Sequence, residues 1–151
     1  VDGLRATLIG PDEDPARDVV FELEDGLPPV RLYPEGVRSI VGNLVENAMR
    51  YNRPNGWVRI STSRRGDRTV LEVANSGERV PPERVAKLFD RFERGERSRD
   101  RRTGGFGLGL AIVSAVTTAH GGAVGATALE DGGLRVTVSF PAPVAAEPVP
   151  V

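Results

Sequence analysis

The spacing of apolar side chains changes twice between residues 19 and 62, and that change limits the fold more than any other feature. From Pro34 to about Tyr51, residues Val37, Ile40, Val41, Leu44, Val45 and Ala48 recur at the three- and four-residue steps of one helix face. On either side the pattern is that of extended chain. Val19-Val20-Phe21-Glu22-Leu23 and Val30-Arg31-Leu32-Tyr33 read as strands around a Gly26-Leu27-Pro28-Pro29 turn, and Trp57-Val58-Arg59-Ile60-Ser61-Thr62 alternates after the helix. A one-sided helix between strands has to bury its stripe on a sheet. Pro34 suits a first helical turn, and Pro54-Asn55-Gly56 closes the segment.

The rest of the chain repeats this grammar. After a Gly66-Asp67 turn, Val70-Leu71-Glu72-Val73-Ala74 pairs with the preceding strand as a hairpin, and Asn75-Ser76-Gly77 ends it. A short helix opens at Pro82 and runs to about Phe89. Residues 93–104 carry no apolar side chain and are expected to form a mobile loop. Leu108, Ile112, Ala115, Val116 and Ala119 define another helix that stops at His120-Gly121-Gly122. Ala123 to Leu129 and Leu134 to Phe140 make a last hairpin through Asp131-Gly132-Gly133. The expected architecture is α+β, a two-layer sandwich with about three helices on one face of a mixed, mostly antiparallel sheet of about five strands. Residues 1–16 read as a lead-in from a preceding domain, with Leu4–Ile9 either a short strand or the remnant of a preceding helix. Residues 17–141 read as the domain and 142–151 as a disordered tail.

Composition narrows the chemistry. There is no cysteine and a single histidine, His120, so disulfides, cysteine zinc sites and multi-histidine metal sites are excluded. The formal net charge of -1 offers no field for nucleic acid or a membrane surface, and no apolar run approaches the roughly 20 residues of a membrane span. The positive side is nearly all arginine, since Lys87 is the only lysine. Amides, carboxylates, hydroxyls, arginines and backbone groups must do whatever is done.

Two segments carry such groups in a suggestive order. At about 100° per residue, Asn43, Asn47 and Arg50 share one face of the first helix, with Tyr51 between that face and the apolar one. An asparagine oxygen can serve magnesium, arginine pairs with phosphate and tyrosine lies beside a base. A solvated helix face is the plain alternative, although two mid-helix asparagines oppose local propensity. Gly104-Gly105-Phe106-Gly107-Leu108-Gly109-Leu110 leads straight into a helix, where glycines let phosphates approach unpaired N–H groups. No strand precedes these glycines as in a dinucleotide fingerprint, and no Lys-Ser/Thr follows as in a P-loop. A flexible hinge is the rival here.

Taken together the segments resemble the catalytic ATP-binding domain of bacterial two-component sensor histidine kinases, within the wider family of gyrase, heat-shock chaperone and mismatch-repair ATPases. Asn43-Leu44-Val45-Glu46-Asn47-Ala48-Met49-Arg50-Tyr51 resembles the N box, Asn75-Ser76-Gly77-Glu78-Arg79-Val80-Pro81 the G1 box, Leu88-Phe89-Asp90-Arg91-Phe92-Glu93-Arg94-Gly95 the F box and Gly105-Phe106-Gly107-Leu108-Gly109-Leu110 the G2 box. His120-Gly121-Gly122 also matches the family's helix-to-strand join.

The resemblance implies the Bergerat fold, ATP and Mg2+ as ligands, and a histidine kinase catalytic domain as the enzyme. Asn43 and Asn47 would sit by the phosphates, Asn47 holding the metal, with Asn43 and Arg50 serving transfer. Tyr51, Asn75, Gly77 and Val80 would surround the base. Gly105, Gly107, Leu108, Gly109 and Leu110 would meet the phosphates. Residues 93–104 would be the lid, where Arg94, Arg97, Arg99, Arg101 and Arg102 are phosphate candidates and Arg94 is the one carried forward. Phe89 and Phe92 would anchor the lid base.

One departure stands in the G1 box. The family has an aspartate that accepts a hydrogen bond from the adenine amino group, and here Asn75 replaces it, while Arg79 replaces the second glycine. Losing charge assistance should cost about 1 kcal/mol of adenine affinity.

The hydrolytic branches carry a glutamate where Asn43 stands, and asparagine cannot act as a general base. The resemblance therefore implies transfer to a histidine on a separate dimerisation domain, then to a response regulator. His120 ends a helix and is not that acceptor, so the chain alone should not autophosphorylate. The expected setting is a cytoplasmic domain of a membrane-anchored kinase, without nucleic-acid or direct membrane contact. Rival readings are an ATPase fragment of the same wider family and a nucleotide-free interaction module.

Overall fold

The computed structural model of the chain describes residues 18–23, 33–90 and 107–141. The expected lead-in, the Leu4–Ile9 and Val30–Leu32 strand segments, the lid and its arginines, Phe92, Gly105 and the tail lie outside the described residues. In chain order the elements are β1 (Asp18–Leu23), α1 (Pro34–Arg50), β2 (Trp57–Arg65), β3 (Arg68–Asn75), α2 (Pro82–Val85), α3 (Gly107–Ala119), β4 (Ala123–Ala128) and β5 (Leu134–Pro141).

The five strands form one sheet in the order β1-β2-β3-β5-β4. β1 runs parallel to β2, with Val19 opposite Val58 and Phe21 opposite Ile60. Every other neighbouring pair is antiparallel. A parallel pair needs a crossover connection, and α1 supplies it. The partner of β1 is therefore a strand on the far side of the helix, where local reading had set a turn and Val30–Tyr33 beside it. Tyr33 itself is extended (φ -64°, ψ 145°) and leads into α1.

The alternation of β5 shows how the layers sort. Leu134, Val136, Val138 and Phe140 are buried while Arg135, Thr137 and Ser139 face the other side. Val58 and Ile60 of β2 and Val73 of β3 join the buried face, and Ile40, Leu44 and Val45 of α1 with Leu110 and Val113 of α3 cover it. Fully burying side chains of this size contributes roughly 1.5–3 kcal/mol each. Val37, expected in the apolar stripe, is 41% exposed instead. Its neighbour Gly36 takes the buried place, because a Cβ there would sit 2.8 Å from His120 Cε1 and 3.5 Å from Val116 Cγ1. The first turn of α1 thus packs against the last turn of α3, and the helices run antiparallel.

The helix ends follow their sequence signals. Pro34 stands at the first position of α1. At the other end of the layer, Gly121 (φ +78°) follows α3. Gly122 N donates to Thr117 O at 2.9 Å and Gly121 N to Thr118 O at 3.0 Å, the Schellman arrangement. The expected helix to about Phe89 is shorter: α2 covers Pro82–Val85, and turns carry the chain on to Phe89. Among the described residues no helix is long and apolar enough to cross a membrane.

Candidate nucleotide-binding site

α1 organises the site because it borders two separate groups of residues. Near its middle, Asn43 meets the first turn of α3: a Cβ on Gly109 would come 3.2 Å from Asn43 Oδ1. Asn43 Nδ2 donates to Ser39 O at 2.6 Å, one helical turn back. That bond holds the amide and leaves Oδ1 on the Gly109 side. Asn47, one turn further on, is only 7% exposed. The solvated-face alternative therefore fails for Asn47. Arg50 is exposed and Tyr51 half-buried.

α3 begins at Gly107, so Gly107, Leu108 and Gly109 carry N–H groups that a helix leaves unpaired at its start, while Leu110, the fourth residue, already belongs to the helix's own hydrogen-bond ladder. Leu110 is 0% exposed and lies in the core. Its side chain is packing and its N–H lies within the helical ladder, so the expected phosphate contact at Leu110 is corrected to a core support beneath the turn. Val80 is likewise 7% exposed and in the core cluster. Phe89 packs against that cluster, as expected for an anchor.

The second group lies where α1 ends. Tyr51 N donates to Asn47 O at 3.1 Å and closes the helix. A Cβ on Gly77 would come 2.5 Å from Tyr51 O and 3.4 Å from Asn75 Nδ2. Glycine at 77 is thus what lets the end of β3 touch the end of α1. Asn75 is 4% exposed, and its Nδ2 donates to Ser76 O at 2.8 Å. With that donor occupied, Oδ1 is the group left for a base amino donor. Asn43 and Tyr51 are eight positions apart, roughly 12 Å along the helix, the scale of a nucleoside triphosphate.

Reasoning from sequence missed the supports of this second group. Ser76 is 1% exposed. It accepts from Trp57 N at 2.7 Å and donates to Asn52 Oδ1 at 2.5 Å. The hairpin turn after β4 also reaches it. Gly132 (φ +97°) and Gly133 (φ +101°) leave no room for a Cβ, which would collide with Gly77 O and Asn75 O respectively, and Gly133 N donates to Glu78 O at 2.9 Å. A Gly-Gly pair reads as a turn, and nothing local says that the turn lies against another loop.

The sole histidine has a structural place. His120 Nδ1 lies 2.8 Å from Val116 O, and Tyr33 N donates to Nε2 at 3.4 Å. A neutral ring protonated on Nδ1 satisfies both partners. Its ring meets Tyr33 edge-on at 5.7 Å.

Comparison with known proteins gives the family of the chain. The family model described as histidine kinase-, DNA gyrase B- and HSP90-like ATPase matches residues 33–144. Sensor protein CutS of Streptomyces coelicolor is 43% identical over 106 residues, which cover 70% of this chain and 26% of CutS. The histidine kinase domain of the E. coli osmosensor EnvZ superposes with a TM-score of 0.66 at 30% identity, covering 100% of this chain and 91% of that one. Full-length ShkA in complex with AMPPNP gives 0.67 at 32% identity, covering 88% of this chain and 27% of that one. The chain spans about a quarter of the length of CutS. It belongs to the family of histidine kinase-, DNA gyrase B- and HSP90-like ATPases, and within that family it groups with the ATP-binding catalytic domains of sensor histidine kinases.

Proposed function

We propose that this domain binds Mg-ATP along the flank of α1 and presents the γ-phosphate to a histidine on a separate dimerisation domain of the same kinase. From there the phosphoryl group passes to a response regulator. The observation that carries the reading is Asn43 beside Gly109, an amide where α1 meets the start of α3. An amide orients a phosphate or a water but cannot take a proton from it near neutral pH. Glu46, the nearest carboxylate in sequence, is exposed about 60° away around the helix. An imidazole acceptor is already nucleophilic and needs no base from this domain.

The donor set fits magnesium. Among the described residues no three His, Cys, Asp or Glu side chains gather to hold a metal. An ion here would be held by the amide oxygen of Asn47 together with phosphate oxygens and water, the hard oxygen donors that Mg2+ takes, and would supply neutralisation of phosphate charge. Asn47 orients the triphosphate, Arg50 pairs with it, and Gly107, Leu108 and Gly109 offer backbone N–H groups at the start of α3, with Leu110 anchoring that turn in the core. Arg94 and Gly105, outside the described residues, complete the phosphate set by resemblance. Tyr51 flanks adenine and Asn75 accepts its amino hydrogen, with Gly77 and Val80 shaping that end. The setting is the cytoplasmic side of a membrane-anchored bacterial sensor kinase.

The test mixes this chain with the dimerisation domain of its own full-length protein and γ-labelled ATP. Acid-labile label should appear on the dimerisation domain and none on this chain alone. Release of phosphate at the same rate with and without the partner would favour the ATPase reading instead.

A further inference from the structure

We infer that Asn52 and Ser76 are positioning residues for the adenine end, a clasp that fixes how far Tyr51 stands from Asn75. The inference rests on the proposed binding of the base between those two residues, and adds what holds them there.

Three chain segments meet at the clasp. Asn52 follows α1, Trp57 opens β2 and Ser76 follows β3. Ser76 Oγ accepts from Trp57 N at 2.7 Å and donates to Asn52 Oδ1 at 2.5 Å. Asn52 Nδ2 donates to Trp57 O at 3.1 Å, and Ser76 N donates to the same carbonyl at 3.0 Å. Asn52 Oδ1 also accepts from Arg53 N at 2.9 Å, which fixes its rotamer. Each side chain therefore bonds both the other one and the backbone of β2. Gly56 makes the space, since a Cβ there would collide with both Asn52 Oδ1 and Ser76 Oγ.

The neighbours of the clasp are the proposed base contacts. Tyr51 is bonded to Asn52, and Asn75 to Ser76. Gly77, on the far side of Ser76, touches Tyr51 O. With the clasp closed, the two side chains that would border a base cannot drift apart without breaking these part-buried hydrogen bonds. Such a network is worth most where each member is satisfied. It matters here because a neutral Asn75 acceptor relies on alignment more than a carboxylate would.

The experiment measures ADP, GDP and inorganic pyrophosphate binding, all with Mg2+, by calorimetry on the whole chain. Variants are Ser76→Ala, Asn52→Ala, both together, and Ser76→Thr, which keeps the hydroxyl. Either alanine variant should weaken ADP five- to tenfold and shrink the preference for ADP over GDP, with pyrophosphate unchanged. The double variant should lose little beyond either single one, and Ser76→Thr should bind as the parent does. Asn52 is only half-buried, so Asn52→Ala supplies the readout if Ser76→Ala does not fold. Unchanged ADP affinity and base preference in a folded variant would overturn the clasp alone. A parallel fall for ADP and pyrophosphate would reduce it to a general structural support. A parent chain that binds pyrophosphate but shows no preference between ADP and GDP would overturn the adenine-end reading, and one that binds nothing would overturn the site.

Discussion

A Cβ on Gly109 would stand 3.2 Å from Asn43 Oδ1, so α1 and the first turn of α3 approach as closely as a missing methyl allows. Gly109→Ala therefore sets two effects against each other. Alanine gains about 1 kcal/mol of helix propensity. The methyl pushes an amide held to Ser39 O by a 2.6 Å bond, and giving that bond up costs about 0.5–1.5 kcal/mol. The two nearly cancel. Melting temperature should stay within a few degrees of the parent, while Mg-ATP affinity falls about tenfold or more. Thermal melts and calorimetry on the same samples check both halves.

Asn75→Asp separates stability from base recognition. The carboxylate would be buried where Asn75 is 4% exposed, and it would face Ser76 O, to which Nδ2 now donates. Burial of charge against an acceptor is unfavourable without a donor. The free protein should melt at least several degrees lower at pH 7. ADP, bringing an amino donor, should bind roughly fivefold more tightly if charge assistance contributes about 1 kcal/mol. Unchanged ADP affinity would remove Asn75 from the role of base reader.

The glycines after β4 and after α3 give a paired measurement. At Gly121 (φ +78°) a Cβ meets open space, and Gly121→Ala should cost about 1–2 kcal/mol of conformational strain. At Gly133 (φ +101°) the same methyl collides with Asn75 O. Gly133→Ala should cost more than about 2 kcal/mol and weaken ADP as well, because it displaces the end of β3 that carries Asn75. Denaturant melts give the first difference and ADP titration the second.

His120→Ala should affect stability and leave nucleotide binding alone. The ring accepts from Tyr33 N, pairs with Val116 O and packs against Gly36 and Tyr33. Losing these should cost about 1–2 kcal/mol, a fall of roughly 5–10 °C in Tm. ADP affinity within twofold of the parent is the expected result. A large loss of affinity at unchanged Tm would place His120 in the site.

What was legible in advance was whatever neighbouring residues decide among themselves. Pro34 and the spacing Ile40, Leu44, Val45, Ala48 marked α1 to within a residue at its end, and Gly66, Gly121 and the Gly132-Gly133 pair marked turns, because propensity and backbone freedom act locally. The parallel partnership of β1 with β2 was not legible, since it depends on a crossover through α1 and not on the turn residues beside β1. Val37 sits at the right spacing for burial yet is exposed, because α3 approaches closely at Gly36. At the site, Asn43 and Asn47 stood out as amides in the middle of a helix and Tyr51 as a ring beside them, while Asn75 stood out only through the resemblance of its segment to the G1 box. Asn52 and Ser76 did not, as a Ser and an Asn near turns are ordinary on their own. Their meaning comes from meeting each other across three segments.

The central claim is that this domain holds Mg-ATP without consuming it. The direct measurement titrates Mg-ATP into the chain in a calorimeter and assays the recovered samples for free phosphate. The account predicts saturable binding in the micromolar to millimolar range that weakens when Mg2+ is withheld or Asn47 becomes alanine, with phosphate release no higher than in a protein-free blank. No heat of binding at several millimolar nucleotide, or sustained turnover by the chain alone, would contradict it.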